Sequence, residues 1–523
     1  MKKGIVLIVM FGLVGLSGKG QITFQKMFYS DTFSTIAVSV KQTSDGGYIV
    51  VGPFNGGGTI LVRTDSIGNL LWTKEFSPAN GGCAIAVQQT IDGGFVMVGT
   101  TLNSNIIFLI KTDSFGDTIF TKTYTKGNAY SSGSSILQTP DGGYIISGYN
   151  NSYGIFLIRT NGIGDTLWTK TIGGSYENNF IKFTNDGGYI ICSSIQVDTT
   201  VDLVRIYITR TDSNGIPYWS KEFGGFHDHS HSYGTCIEQT TDNGFIISGY
   251  TNILTNSLSN NVYLIRIDST GDILWTKTYG GTNGDKAYYV HQTIDGGFMV
   301  IGNTASFGAG ENDLYLIKTN ENGDTLFTKT IGTSGNEMAY TADTTNDGGY
   351  IIGGSISRRY TNQIFIVKTD ALGNVECNQN TTSTITNLAP TIDKIDTNVI
   401  NKGGIVGTMS PFIFSYNHDS SLCTATTGIK DFQSLSLILS LSPNPFSTTT
   451  TLTLQSTYHN PSLFIYNLLG QEVGASRTYG MPVHVGTNYQ FTIPRNNLPA
   501  GMYFYKVIDE NKEIIGIGKM MVE

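Results

Sequence analysis

Between residues 35 and 76 apolar and polar positions alternate in four short runs: "TIAVSVKQT", "GYIVVG", "TILVRTD" and "NLLWTKEF". Period-two alternation over runs this short predicts β-strands, each with one face turned to a core. The runs are separated by Ser44-Asp45-Gly46-Gly47 and by Asp65-Ser66-Ile67-Gly68-Asn69. Asp before Gly is hairpin chemistry, because the carboxylate caps nearby N–H groups and Gly accepts positive φ. The same order of runs and turns then recurs. Asp-Gly-Gly, or Asp-Asn-Gly once, stands at Asp45, Asp92, Asp141, Asp186, Asp242, Asp295 and Asp347, at steps of 45 to 56 residues.

A four-stranded unit cannot bury both of its faces alone, so seven of them must stack. The pattern predicts an all-β fold, a seven-bladed β-propeller over residues 21–377. Trp72, Trp168, Trp219 and Trp275 share one position in the fourth run, and Phe120 and Phe327 fill it in two other units. A large aromatic at a recurring position is expected to pack one blade on the next. The seventh unit lacks its fourth run and reads "NVECNQN" instead. The missing piece stands at the other end, where "ITFQKMFYS" (22–30) aligns Phe24 with Trp72 and Lys26 with Lys74. The N-terminal strand is therefore expected to complete the last blade and close the ring.

The turn Asp-x-x-Gly before Trp is similar to the tryptophan-docking motif of quinoprotein propellers and to the shorter Asp-box of sialidases. Both likenesses span under ten residues per blade and imply propeller packing, not activity. The whole unit resembles a repeat common in large exported bacterial proteins.

Both ends of the chain bear on its address. Met1-Lys2-Lys3, the apolar run Gly4–Leu16 and the small residues up to Gly20 have the form of a signal peptide, residues 1–20. No other run is apolar enough to span a bilayer, so no transmembrane segment is expected in the mature chain. The net charge of −8 argues against nucleic acid as a partner. Residues 378–435 are rich in Thr, Asn and Ser and read as a linker with some β-structure, and a Cys377–Cys423 disulfide is expected to bracket most of it. Cys83, Cys192 and Cys236 fall at unrelated repeat positions, as buried small hydrophobes do.

From residue 436 the composition changes to period-two runs with Pro and Gly turns, which predicts a small Ig-like β-sandwich over 436–523. Pro443-Asn444-Pro445, Gly470, Leu498, Gly501, Tyr503, Lys519 and Val522 follow the ordered motifs of this segment. On these residues it resembles the type A C-terminal sorting domain of the type IX secretion system of Bacteroidota. The resemblance implies the type IX machinery as a partner, outer-membrane transit, and release or attachment at the cell surface.

Candidate chemistry is sparse. The serine-hydrolase, zinc-protease, P-loop and EF-hand patterns are absent from the sequence. Each third run ends in a cation (Arg63, Lys111, Arg159, Arg210, Arg266, Lys318 and Lys368). Each is expected to pair with the Asp or Asn two residues on, which shares its side of the strand. Glu177, Asp285 and Glu337 stand near the start of three first runs, at the expected channel mouth. They suit capping of the adjacent Gly-rich turns, or a paired-carboxylate hydrolase if two converge. The loops at 193–203, 250–262 and 355–363 depart most from the repeat, and variable loops on a rigid scaffold suit binding. In "GGFHDHSHSYG" (224–234), His227, Asp228, His229 and His231 form a cluster. Neutral imidazole and carboxylate suit a divalent metal such as Zn²⁺, and no other cofactor is assigned. The function expected is a binding or adhesion module for glycan or protein. The alternative is a secreted polysaccharide-active enzyme using the channel-mouth carboxylates.

Overall fold

The computed structural model describes residues 21–28, 34–55, 57–77, 81–102, 106–125, 130–152, 154–173, 179–198, 200, 202–225, 229–253, 259–358, 361–375, 378–382, 385–388, 392–395, 399–401, 405–407, 419–426, 439–442, 447–455, 461–466, 472–475, 483–485, 488–495, 498–508 and 514–522. The chain forms two compact units, Met1–Ile429 and Lys430–Glu523. Every regular element among the described residues is extended, with no α-helix.

Seven antiparallel sheets make up the first unit. In the first blade the strands are Ser39–Gln42, Tyr48–Phe54, Gly58–Thr64 and Leu70–Phe76, paired in chain order. First strands of successive blades touch one another all the way round, so they are innermost. Apolar residues from facing sheets fill each seam. Ile49, Val51 and Leu61 of the first blade, for instance, pack on Val87, Phe95, Met97 and Phe108 of the second. The seventh blade has three strands of its own, Glu337–Thr344, Tyr350–Arg358 and Thr361–Thr369, and Ile22–Phe28 pairs with the last of them, Phe24 opposite Lys368. The first and last blades are thus stitched by hydrogen bonds rather than merely abutted.

The Asp-Gly-Gly turn shows why each of its residues is needed. Asp45 accepts from the Thr43 hydroxyl at 2.6 Å and from the Gly47 N–H at 3.2 Å. Gly46 sits at φ +86°, and a Cβ on Gly47 would stand 2.3 Å from the Thr64 carbonyl and 2.4 Å from the Arg63 guanidinium. The first glycine supplies the left-handed backbone and the second clears the path of the cation. In the fifth blade Asn243 takes the first position at φ +66°, a region that Asn tolerates.

That cation corrects the sequence expectation. Arg63, Lys111, Arg159, Arg210, Arg266, Lys318 and Lys368 pair with Asp45, Asp92, Asp141, Asp186, Asp242, Asp295 and Asp347, at 2.5 to 3.0 Å. The Asp two residues on is already engaged: Asp65 accepts the N–H groups of Ile67 and Asn69 in its own turn. Alternation tells which side of a strand a cation faces, but not which of two acids on that side is free. Both turns consequently lie on one face of the disc, the turn face.

Successive blades are clasped at the second turn. A Cβ on Gly116 would stand 2.9 Å from the Trp72 ring of the preceding blade, and Gly215, Gly271 and Gly323 meet Trp168, Trp219 and Trp275 in the same way. Lys74, Lys122, Lys221 and Lys277 reach forward to Asp117, Asp165, Asp272 and Asp324 of the next blade at 2.6 to 2.9 Å. At the closing junction Phe24 covers Gly68, and Lys26 donates to Asn69 at 3.0 Å.

Beyond the seventh blade the chain turns back around the ring. Gln379–Thr382, Ile385–Leu388, Ile392–Ile395, Val399–Asn401 and Ile405–Gly407 add a fifth strand to blades six, five, four, three and two in that order. Asp419–Thr426 then pairs with Ile22–Phe28 on the seventh. The extended patches of the Thr/Asn/Ser-rich stretch are thus a belt on the ring's circumference, and they cover edge strands that would otherwise invite association. On blades two to six the belt covers only the end of the fourth strand remote from the turn face, as in the fifth blade, where Lys277 to Gly280 pair with Leu388 to Ile385. On the turn-face side, Leu71, Ile119, Leu167, Tyr218, Leu274 and Leu326 remain 54–61% exposed. Cys377 lies outside the described residues. Cys192 and Cys236 are buried free thiols, and Cys83 is a half-buried one.

The second unit is a two-sheet sandwich. Leu439–Ser442, Thr449–Gln455, Asn488–Pro494 and Val483–Val485 make one sheet; Glu472–Ala475, Ser462–Tyr466, Gly501–Ile508 and Ile514–Val522 make the other. Leu452, Ile465, Phe491, Val507 and Met520 meet between them.

Candidate functional site

On the turn face a side-chain lock joins the innermost strands of neighbouring blades. Gln89 accepts the N–H of Ser44 from the blade before it at 2.8 Å, and Gln138 does the same for Ile91 at 2.8 Å. Gln239, Gln292 and Gln42 repeat the bond to Asn185, Thr241 and Asn346 at 2.7 to 2.8 Å. Between the sixth and seventh blades Thr344 stands in place of the glutamine, and between the third and fourth both partners change. Pro140 has no N–H to donate, and Phe183 stands in place of the glutamine. A cleft of about 340 Å³ opens beside this broken lock, walled by Gln88, Gln138, Thr139, Pro140, Ile91 and Phe183, with Ser44 at its far side. None of its lining side chains is ionisable. It lies on the face opposite the variable loops at 193–203, 250–262 and 355–363.

Of the sequence-predicted carboxylates, Asp285 and Glu337 occupy the loop face. Glu177 lies outside the described residues. Asp285 is fully buried and accepts from the Gly281 N–H and the Ser306 hydroxyl, each at 2.8 Å. Glu337 is fully buried as well and accepts the N–H and the hydroxyl of Thr333 at 3.1 and 2.6 Å. Each carboxylate thus caps the loop four residues before it. The side chain that faces Glu337 is Asp313, at the start of a third strand, with the two carboxylates meeting across Gly332. Burial raises Asp285, Asp313 and Glu337 above the usual carboxylate range, and the Asp313 charge raises Glu337 further. Asp313 was not singled out from the sequence, although no other third strand begins with an acid. A glycoside hydrolase needs two carboxyls that flank an entering glycosidic bond. Asp285, Asp313 and Glu337 are at most 1% exposed, so no such bond reaches them.

In the histidine segment, His227 and Asp228 lie outside the described residues. His229 takes φ +59°, so the backbone is not extended there. The His231 ring turns to Asp202, with Nε2 2.9 Å from its carbonyl oxygen and 3.1 Å from its carboxylate. Among the described residues no group of three or more His, Cys, Asp or Glu is placed to hold a metal ion.

The locked acids of the turns set a pH response. The Thr139 hydroxyl, followed by the Arg159 guanidinium, draws Asp141 down to about 2. The Thr293 hydroxyl, against an opposing effect of burial and with help from Lys318, draws Asp295 to about 2. At Asp45, Asp92, Asp242 and Asp347 burial pulls upward and is outweighed by the Thr hydroxyl, the backbone N–H and the cation. A carboxylate whose folded pKa lies below its unfolded value of about 3.9 adds stability above that value and loses it as pH falls toward the folded one. The contribution of these turn acids to the melting temperature is expected to hold steady down to about pH 4 and to fall between about pH 4 and 2. The double substitution Asp141→Asn and Asp295→Asn should lower the plateau and flatten that descent, read by circular dichroism across the range. An unchanged slope would show that these acids are not locked in solution.

In the second unit, the Tyr503 hydroxyl donates to the Pro499 carbonyl at 2.9 Å, fixing the corner ahead of Gly501–Ile508. Gly501 pairs with Val522, and Leu498, Tyr503 and Val522 are buried in the sandwich core. Lys519 stands opposite Phe504 in the terminal strand. Pro443, Asn444, Pro445 and Gly470 lie outside the described residues.

Residues 440–523 match the family model described as the secretion system C-terminal sorting domain. No curated protein matches the chain. Among solved structures, a protein of unknown function from Dyadobacter fermentans is 11% identical at a TM-score of 0.39, over 67% of this chain and 98% of its own. The tail fiber of Staphylococcus aureus phage P68 is 8% identical at a TM-score of 0.22, over 97% of this chain and 96% of its own. Likenesses so distant say nothing of what the chain binds. Among the described residues no helix is long and apolar enough to cross a membrane. The chain is a seven-bladed β-propeller carrying a type IX secretion system C-terminal sorting domain, which implies a Bacteroidota source and indicates export, with attachment to or secretion from the outer cell surface.

Proposed function

We propose that the propeller is a binding module, engaging glycan or protein outside the cell, rather than a polysaccharide-active enzyme. The observation that carries this reading is a contrast between the two faces. On the loop face the acids that hydrolysis would need are sealed and spent on capping. On the turn face the cleft offers amides, hydroxyls and apolar surface, with no acid, base or activated nucleophile. Such a site can recognise a ligand but cannot move a proton to or from it. The exposed apolar residues at the start of the outer strands add contact surface to the same face. Incubating the mature protein with a polysaccharide panel and a glycan array separates the readings. Retention without release of reducing ends is expected. Sustained release that survives repurification, and is lost in Glu337→Gln, would establish the enzyme instead.

A further inference from the structure

We propose that the turn-face cleft lined by the inner strand ends of the first four blades takes an uncharged pyranose unit of a glycan, stacked on the ring of Phe183. The proposal rests on the binding reading above and assigns it a place and a ligand class. Repetition is what locates the place. A feature present at most junctions serves the ring, whereas one that departs from it is free for another role. Five of the seven junctions carry the glutamine lock and the sixth-to-seventh has Thr344 in its place; the third-to-fourth alone loses donor and acceptor together, to Pro140 and Phe183, and both of these line the cleft.

The walls select the ligand. A charged group entering the cleft would give up part of its hydration and meet no counter-charge among the lining side chains. An uncharged ligand rich in hydroxyls meets no such penalty. Gln88 Oε1 is held by the Gln138 N–H at 2.8 Å, which leaves its Nε2–H₂ without a partner among the described residues and able to donate. The Ser44 hydroxyl is likewise unengaged among the described residues and can donate or accept. Opposite these polar groups Phe183 is 38% exposed, and Pro140 and Ile91 continue the apolar wall. One apolar face and a few placed hydrogen-bonding groups suit a pyranose, which carries C–H groups on its faces and hydroxyls around its edge. The volume, about 340 Å³, lies at the lower end of the range for small-ligand sites and leaves room for one or two rings.

The test titrates neutral hexasaccharides of glucan, mannan and xylan, beside uronate hexasaccharides of alginate and polygalacturonate, into the mature protein by calorimetry. At least one neutral oligosaccharide is expected to bind, with uronates binding at least tenfold more weakly. Phe183→Ala should weaken binding about tenfold or more, Phe183→Trp should retain it, and Gln88→Ala should weaken it less. Phe183 is a third exposed, so the melting temperature of each variant should stay close to the parent's. A neutral glycan bound equally by parent and Phe183→Ala would remove the site while leaving the binding reading intact. Preference for uronates would overturn the ligand class, and capture of a defined protein ligand with no glycan bound would overturn the glycan altogether. Turnover of the bound oligosaccharide would instead sink the reading on which the proposal rests.

Discussion

Deleting residues 22–28 is expected to abolish cooperative folding of the propeller, although the segment is a small part of the chain. Two strands lose their partner at once: Thr361–Thr369 on one side and Asp419–Thr426 of the belt on the other. Phe24 and Phe28 leave the seam with the first blade, Met27 leaves the core it shares with the sixth and seventh blades, and the clasp of Phe24 over Gly68 is lost. Two unpaired edges on an otherwise closed ring are a template for aggregation. A milder version isolates the clasp. Phe24→Ala should cost about 3–5 kcal/mol, as for other fully buried aromatics cut back to alanine, and shift the first urea transition accordingly. Phe24→Trp should be tolerated far better, because Trp72, Trp168, Trp219 and Trp275 already fill the same station against Gly116, Gly215, Gly271 and Gly323. A Phe24→Ala variant with an unchanged midpoint would mean that the ring is held shut by something else.

Removing residues 440–523 is expected to end delivery to the outer surface while leaving the propeller folded. The sorting-domain match covers those residues, and they form a separate compact unit with its own core. In a type IX-competent cell the truncated chain should accumulate between the two membranes, whereas a reporter carrying a signal peptide and residues 436–523 should appear outside. A smaller cut makes the same point. Taking away Lys519–Glu523 strips the end of the strand that pairs with Gly501–Phe504 and removes the buried side chains Met520 and Val522. It should trap the reporter as effectively as the full truncation. Equal surface display of cut and uncut reporters, by protease accessibility on intact cells, would refute the assignment of the segment.

Several contacts were legible in the chain because each depends on a few neighbouring residues. Asp-Gly-Gly specifies a hairpin through one carboxylate and one positive φ, and its recurrence sets the number of blades. Phe24 could be matched to Trp72 because both sit two residues before a lysine in a run of the same pattern. The belt was less legible. Its short Thr- and Asn-rich runs carry little alternation of their own, and they become strands by pairing with edges that the propeller supplies. Asp313 escaped notice for a related reason: an acid at the start of one strand looks like any surface residue until Glu337 of the next blade is set across Gly332 from it.

Local order, the blade count, the closing strand and the sorting module are determined by the sequence itself, since alternation, turn conformation and motif order all act over roughly ten residues or fewer. Which acid each cation meets, which carboxylates are sealed, and where the ring opens into a cleft are decided only by the tertiary structure. Pro140 and Phe183 show the reason. Each is unremarked within its own blade, and they are 43 residues apart in the chain. Only when the ring brings the inner strand ends of the first four blades together do a missing donor and a missing acceptor coincide, beside a cleft to which each of those blades contributes.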